Sequence, residues 1–440
     1  MRQTIATRDL RIGMFIADID RPWEETPFLM QGFLLRNTDQ LRALQNYCRT
    51  VVIDRLRSTG DQFSDKAIGE GDDLLLGREG GIPEDLLASR QEASRFLCLL
   101  RDFKGKIHTQ RLPELPPIDS GTRRSELEAE LRYMAPIVDD VFRVLREVRL
   151  AIDGGGRFDA EVVQSLVNEM AGGLERNPDA LLWLTRLKRT DQYSYDHAVN
   201  VSVHLMIFGR FVGFDSKEVR RLGFAGLLQD LGKIQIDYAL LRKAGPLTTK
   251  EFEHVKAHVT NTLKILRESA EVDREVLAIV GVHHERYDGS GYPRGLWGMN
   301  IPLPGEMSGI VDTYCAMTQQ RVYSDAVSSQ HAMETLNRLR GKQFRDVLVD
   351  QFIQCIGLYP IGTLVELNTG EVAVVIQQNQ VRRLRPTVLV LLGPDKTVER
   401  FPRTLNLLMQ PATPEGLPYR ITQALPPDSY GIDPADFYLA

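Results

Sequence analysis

The chain has 440 residues and a formal net charge of −5 at pH 7. This length indicates two or three domains, because single hydrophobic cores seldom grow beyond about 250–300 residues. The acidic balance, with Lys and Arg scattered among acids, excludes an extended surface for a nucleic-acid polymer but leaves room for a local basic pocket. The sequence contains no run of about 18 apolar residues, so no transmembrane helix is predicted.

The cysteines and the first residues indicate the compartment. The string MRQTIATRDLRIGMF lacks the apolar stretch of a signal peptide. The four cysteines are far apart and form no C-x-x-C pair: Cys48, Cys98, Cys315 and Cys355. In a chain of this length they are typical of reduced thiols. We therefore expect a cytoplasmic protein.

The first quarter of the chain predicts a small folded unit and a linker. Residues 1–55 are expected to form an α+β domain, with a helix around 39–47 and a strand at 51–54. Residues 56–122 include the strings GREGGIPED and RLPELPPIDSG, which indicate a linker. One helix is predicted inside it, near 82–101.

Residues 123–358 predict an all-α domain, because apolar residues recur there at three- and four-residue spacing. In LTTKEFE, Thr248 and Glu251 have the spacing of a capping box. The helices are expected at 127–152, 162–174, 198–212, 219–231, 252–266, 272–282, 306–317 and 332–339.

The end of the chain changes character. Residues 361–410 alternate β-branched residues around turn formers and predict a small unit of two hairpins, and the Pro-rich residues 411–440 predict an irregular tail. The fold class is therefore mainly α, with a small α+β unit before the helical domain and a small β unit after it.

Histidines and aspartates within the helical domain form a candidate metal site. Imidazole and carboxylate groups suit divalent first-row transition metals, and several of them facing one cavity between helices build dinuclear sites. A two-metal site can polarise a phosphodiester and activate water. A single histidine is more often packed or solvated than a ligand. The residues concerned are His197, Asp230, His258, His283, His284 and Asp312.

The strings around these residues resemble a known family. LLQDLGK, LLRKAGPLTTKEF, HHERYDGSGYPRGLWGMNIPL and IVDTYCAMTQQRVYSDA are similar to the HD-GYP subgroup of the HD phosphohydrolases, over about residues 190–345. The resemblance implies an all-α HD-type domain that uses metal ions to hydrolyse the 3',5'-phosphodiester of cyclic di-GMP to pGpG or GMP. LRIGMFIADIDRPW and VVID also resemble the domain of unknown function that often precedes this module.

The resemblance also implies roles for individual residues. The six histidines and aspartates match the metal ligands, with Asp230 bridging two ions of Fe, Mn or Zn. Lys233 matches a catalytic lysine that contacts a phosphate, and Arg321 matches an arginine that holds the dinucleotide. Gly291, Tyr292 and Pro293 match the loop that shapes the pocket, through which a protein partner could also bind.

The sequence departs from the family pattern at several positions. Gln229 stands where the family has the histidine of its HD name, and an amide oxygen is a weaker ligand than imidazole. Tyr193 replaces a glutamate of trinuclear members, so a third metal is not expected. Val322 and Ser324 replace a proline and a basic residue. His254, four residues before His258, could supply the missing ligand or simply be a surface residue.

Two functions therefore remain open from the sequence. One is a cyclic di-GMP phosphodiesterase whose activity is reduced by Gln229. The alternative is a degenerate module that binds cyclic di-GMP or a protein without turnover.

Overall fold

The structure is a computed structural model that describes residues 2–20, 33–35, 38–54, 58, 120–187, 193–243, 245–269, 272–320, 326–379 and 382–432. The chain divides into two compact units, residues 1–97 with 380–384, and residues 98–379 with 385–440. The predicted linker, apart from residues 58 and 120–122, and the predicted helix near 82–101 lie outside the described residues.

In its described residues, the first unit is a small antiparallel sheet with one α-helix, α1 (Thr38–Tyr47). Its strand order is β1-β4-β2-β3. The apolar side chains of the sheet and of α1 form one cluster, in which Ile16, Leu35 and Leu44 are fully buried. The strands are β1 (Arg2–Ala6), β2 (Phe15–Ile19), β3 (Phe33–Leu34) and β4 (Thr50–Asp54).

The second unit is built mainly from helices. The helix at Tyr193–Val212 packs against the helices at Ser216–Leu228 and Leu303–Thr318, and the helix at Thr249–Glu268 packs against the segment at Leu231–Gln235. The helices are α2 (Ser120–Asp153), α3 (Ala160–Arg176), α4 (Pro178–Leu187), α5 (Tyr193–Val212), α6 (Ser216–Leu228), α7 (Tyr238–Leu241), α8 (Thr249–Glu268), α9 (Arg274–Val280), α10 (Leu303–Thr318), α11 (Ser329–Leu339) and α12 (Asp346–Ile356).

Local signals explain where several of these helices begin. Thr248 and Glu251 form the capping box predicted for α8, and Asp215 and Glu218 form another at the start of α6. Three helices, α4, α7 and α12, were not predicted. Helix α4 follows α3 after a single residue, so the apolar pattern shows no gap between them.

The helix predicted over 219–231 ends earlier than expected. Helix α6 stops at Leu228, and a 3₁₀ turn follows at Leu231–Gln235. The N–H of Gly232 donates to Thr262 Oγ1 of α8 at 2.8 Å, which draws the chain out of the α-helix. Asp230 therefore lies in a turn just beyond the helix and not on it, contrary to the prediction.

The end of the described chain forms an antiparallel sheet of order β8-β7-β6-β5-β9. The predicted irregular tail is partly wrong, because residues 421–424 pair with β5 and bury Ile421 and Ala424. The strands are β5 (Leu364–Leu367), β6 (Val372–Gln377), β7 (Thr387–Leu392), β8 (Thr404–Asn406) and β9 (Ile421–Ala424).

The predicted fold class is confirmed: the chain is mainly α, with a small α+β unit before the helical domain in the sequence and a small β unit after it. Within the described ranges, no helix has both the length and the apolarity to cross a membrane. Cys48, Cys315 and Cys355 are buried and form no disulfide among the described residues.

Candidate metal centre

The structure brings the six predicted histidines and aspartates together in two adjoining groups. Asp230, His258, His283 and His284 form one group, which we call site A; His197, Asp230 and Asp312 form the other, site B. Within each group the potential ligand atoms lie within 4.8 Å of one another. Asp230 belongs to both, so one carboxylate joins the two sites.

Two site A histidines are oriented by the backbone. The Nδ1 atoms of His258 and His283 each lie 2.7 Å from a carbonyl oxygen, of Val255 and Val280 respectively. Because a carbonyl only accepts, each Nδ1 carries the proton and donates it, and each Nε2 presents a lone pair. Such backbone bonds commonly fix the tautomer of metal-binding histidines.

Three site A atoms converge without a proton between them. Asp230 Oδ1 lies 3.4 Å from His258 Nε2 and 3.8 Å from His283 Nε2. All three atoms are buried and have no hydrogen-bond partner among the described residues. Buried acceptors that face one another are costly unless a cation lies between them. This arrangement of imidazole nitrogens and a carboxylate oxygen fits a divalent transition metal.

Burial favours the neutral form of two site A imidazoles, those of His258 and His284. It lowers the pKa of His258 to about 4 and the pKa of His284 well below the usual histidine value. A histidine must be neutral to bind a metal. Both rings can therefore do so at neutral pH without first losing a proton.

Site B has the same donor types but a different hydrogen-bond pattern. His197 Nε2 lies 2.9 Å from Asp312 Oδ1, and His197 Nδ1 lies 3.0 Å from Gln319 Oε1. Asp230 Oδ2 accepts a hydrogen bond from Lys233 Nζ at 2.7 Å. The 3₁₀ turn that begins after Asp230 brings Lys233 back to its carboxylate.

Gln229, the predicted weak ligand, is 1% exposed and caps the end of α6. Its amide Nε2 donates to Asp312 Oδ1 at 3.0 Å, and its Oε1 accepts from Ser308 Oγ at 2.6 Å. The side chain that replaces the family's histidine is thus hydrogen-bonded at both ends.

The two aspartates are held in their ionised forms. Burial by itself would raise the pKa of both carboxyls. For Asp230 the charge of Lys233 outweighs burial and lowers the pKa well below its ordinary value. For Asp312 the hydrogen bond with His197 has the same effect. Two ionised carboxylates in one partly buried site repel each other, and a divalent cation bound there would relieve that repulsion.

The loop after His284, residues 286–297, closes one side of site A, and we call it the GYP loop. The ring of Tyr292 stacks on that of His284, with centroids 4.7 Å apart, and Tyr292 N donates to His284 O. A Cβ on Gly291 would lie 2.3 Å from Arg286 N, so only glycine fits there. Pro293 is exposed. Gly291 and Tyr292 are thus placed beside His284.

Several residues that shape the centre were not predicted. Ser308 and Gln319 hold Gln229 and His197. Glu285 is buried and accepts from the backbone N–H groups of Arg294 and Leu296, both at 2.8 Å, which fixes the GYP loop. Glu285 follows His284 directly, and that position was the one available signal.

The other histidines and the remaining positions that differ from or match the family fall into three groups. Arg321, Val322, Ser324 and His108 lie outside the described residues, as does the side chain of Tyr193. His254 and His331 are exposed and belong to neither metal group. His204 is buried and bonds Asn200 O through Nδ1, so it is a core residue.

Comparisons with known proteins agree with this geometry. Residues 183–346 match the HD domain and residues 2–91 match a domain of unknown function, DUF3391. The chain is 30% identical to cyclic di-GMP phosphodiesterase PA4108 of Pseudomonas aeruginosa, over 89% of this chain and 86% of the relative. It is 36% identical to the cyclic di-GMP phosphodiesterase response regulator RpfG of Xanthomonas campestris pv. campestris, over 62% of this chain and 79% of the relative.

A further relative differs in the substrate that its name gives. The chain is 30% identical to 3'3'-cGAMP-specific phosphodiesterase 2 of Vibrio cholerae, over 36% of this chain and 30% of the relative.

The all-α domain, with its two adjoining groups of histidines and aspartates that could hold metal ions, defines a hydrolase of the HD class. Within that class, this chain belongs to the HD-GYP family of cyclic di-GMP phosphodiesterases, as its identity over most of a relative's length shows.

Proposed function

We propose that this chain is a metal-dependent phosphodiesterase that hydrolyses the 3',5'-phosphodiester of cyclic di-GMP to pGpG or GMP. The observation that carries the proposal is the convergence of Asp230 Oδ1, His258 Nε2 and His283 Nε2, three buried atoms with no hydrogen-bond partner among the described residues. When bound there, a divalent metal supplies a Lewis acid for phosphate and lowers the pKa of water.

The residues of the chain would divide the work as follows. His258, His283, His284 and Asp230 hold the metal, and the donor set favours Fe, Mn or Zn over Mg or Ca. Lys233 Nζ is partly exposed beside Asp230, where an ammonium group can bind a phosphate oxygen of the substrate. Tyr292 keeps the His284 ring in place by stacking on it.

Cyclic di-GMP is proposed as the substrate because the relatives that this chain matches over most of their length carry that name. The 3',3'-linked hybrid of AMP and GMP is the competing substrate, since a relative matched over a shorter stretch is named for it. Cys48, Cys315 and Cys355 form no disulfide among the described residues, which fits the reducing cytoplasm, where we propose that the protein acts.

A second function is favoured by Gln229. Its amide donates to Asp312 Oδ1, so it offers this carboxylate a proton and the site no lone pair. A module with this defect could bind the dinucleotide without hydrolysing it. Trp297, 62% exposed on the GYP loop, is the side chain there through which a protein partner could bind.

The test uses the full chain stripped of metal by chelation and reloaded separately with Mn, Fe(II) or Zn. Cyclic di-GMP and its 3',3' AMP–GMP analogue are each incubated with it, and products are separated by chromatography. We expect pGpG or GMP only from loaded protein and none from Asp230→Asn. Asp237→Asn, an exposed helix cap close in sequence, is the matched control. Tight binding without turnover would instead establish the second function.

A further inference from the structure

We propose that this chain binds a single metal ion, at site A, and that Ser308 and Gln229 close site B by placing a hydrogen-bond donor where a second ion would need a ligand. The inference rests on the proposed function but concerns residues that the two-metal expectation does not explain.

The two sites differ in what their inward-facing atoms contact. At site A, the carboxylate oxygen and two imidazole nitrogens have no hydrogen-bond partner within the described part of the chain. At site B, the corresponding oxygens are already bonded to protein groups. Asp230 Oδ2 receives Lys233 Nζ at 2.7 Å, and Asp312 Oδ1 lies within 3.0 Å of both Gln229 Nε2 and His197 Nε2.

The orientation of the Gln229 amide follows from its neighbours. An ionised Asp312 oxygen at 3.0 Å repels an amide oxygen and attracts an amide N–H, so Nε2 is the atom that faces it. The other end of the amide is held by the Ser308 hydroxyl. Ser308 lies four residues before Asp312 on α10, so one helix face fixes both ends of the side chain.

Burial makes this arrangement difficult to rearrange. Ser308 is fully buried and Gln229 nearly so. For Gln229 to offer its oxygen to a metal, it must lose its bond to Asp312, and the Ser308 hydroxyl must turn from donor to acceptor. Without Gln229, site B retains His197, Asp312 and the oxygen of Asp230 that Lys233 already binds. The ammonium charge of Lys233 further opposes a second cation there.

The test counts metals instead of turnovers. Metal-free protein is titrated with Mn(II), bound metal is measured by mass spectrometry, and electron paramagnetic resonance distinguishes an isolated ion from an exchange-coupled pair. We expect close to one ion per chain and the signal of an isolated ion. Gln229→His should bind a second ion about ten- to hundredfold more tightly than wild type and give the signal of a coupled pair.

A second variant tests Ser308 as a positioning residue. Ser308→Ala frees the amide oxygen of Gln229. The affinity of this variant for a second ion should therefore lie between the affinities of wild type and Gln229→His. Two ions of similar affinity in wild type, or one ion in a folded Gln229→His, would overturn the inference and leave the proposed function standing. Wild type that binds no metal would overturn both.

Discussion

His258 Nε2 and Asp230 Oδ1 face each other across 3.4 Å with no proton available to join them. The proton of His258 is committed to Val255 O through Nδ1, and Asp230 is held ionised. A lone pair and an anion at this distance repel each other, and a cation reverses the sign of that interaction. The relationship links the local backbone geometry of α8 to the chemistry of the whole centre.

The close approach of the 3₁₀ turn to α8 depends on Gly232. A Cβ at this position would lie 2.2 Å from His258 O and 2.5 Å from Thr262 N. Gly232→Ala must therefore push the turn and Asp230 away from His258, and we expect a loss of at least about 1–3 kcal/mol in the free energy of unfolding. Bound metal should fall as well. Denaturant unfolding and metal analysis measure the two effects.

The control for that prediction is Gly172→Ala in α3, where the nearest atom to a new Cβ is 3.6 Å away. Alanine in a helix interior is favoured by roughly 0.5–1 kcal/mol, so this variant should be at least as stable as wild type and keep its metal. Similar losses in both variants would show that Gly232 has no special role.

Glu285 fixes the GYP loop, and its removal should separate substrate binding from metal binding. In Glu285→Gln one of the two backbone N–H groups faces an amide N–H, which costs about 1–3 kcal/mol for a buried group. We expect a higher KM for cyclic di-GMP with an unchanged metal content. Asp288→Asn, an exposed change in the same loop, is the control. An unchanged KM in Glu285→Gln would contradict this role.

The ion pair of Glu306 with Arg345 predicts a pH dependence of stability. The groups approach to 2.6 Å, yet neither Glu306 oxygen has a well-directed hydrogen bond within the described residues. Burial outweighs Arg345 and raises the pKa of Glu306 from 4.5 to about 7. The folded state binds the Glu306 proton more tightly than the unfolded state does, so protonation of Glu306 stabilises the fold. This stabilising contribution is complete below about pH 4.5 and is lost as the pH rises through about 7.

Urea unfolding between about pH 5 and pH 8 tests that sign. The contribution of Glu306 should make the wild type less stable at the higher pH, and Glu306→Gln should flatten the dependence. Glu334→Gln, at an exposed position of α11, should leave it unchanged. If the slopes of wild type and Glu306→Gln are the same, Glu306 does not titrate in this range.

Replacing Lys233 should weaken the binding of cyclic di-GMP without weakening the binding of metal. Lys233→Ala removes a charged contact to phosphate, worth about 1.5–3 kcal/mol, or roughly a ten- to hundredfold loss of cyclic di-GMP affinity. The same change frees Asp230 Oδ2, so metal affinity should not fall. Calorimetry with each ligand measures both, and Lys250→Ala, at an exposed position of α8, is the control. Unchanged dinucleotide affinity would exclude a phosphate contact.

The sequence predicted the clustered histidines and aspartates better than their surroundings. The six histidines and aspartates could be found because they lie in distinctive strings, and periodicity located most of the helices around them. Ser308 and Gln319 lie in ordinary helical sequence, and their bonds arise only when distant segments pack together. The exit from α6 before Asp230 was missed for the same reason, since it depends on Thr262, which is far along the chain.

The most direct test of the proposed metal-dependent phosphodiesterase activity compares two histidines on α8. His258 lies in site A, and His254 is exposed one turn earlier. Each is changed to Ala, and metal content and cyclic di-GMP hydrolysis are measured under the same conditions. His258→Ala should lose at least about 10–100-fold in both quantities, whereas His254→Ala should match wild type. Equal activity in the two variants, or hydrolysis by His258→Ala without bound metal, would contradict the proposed function.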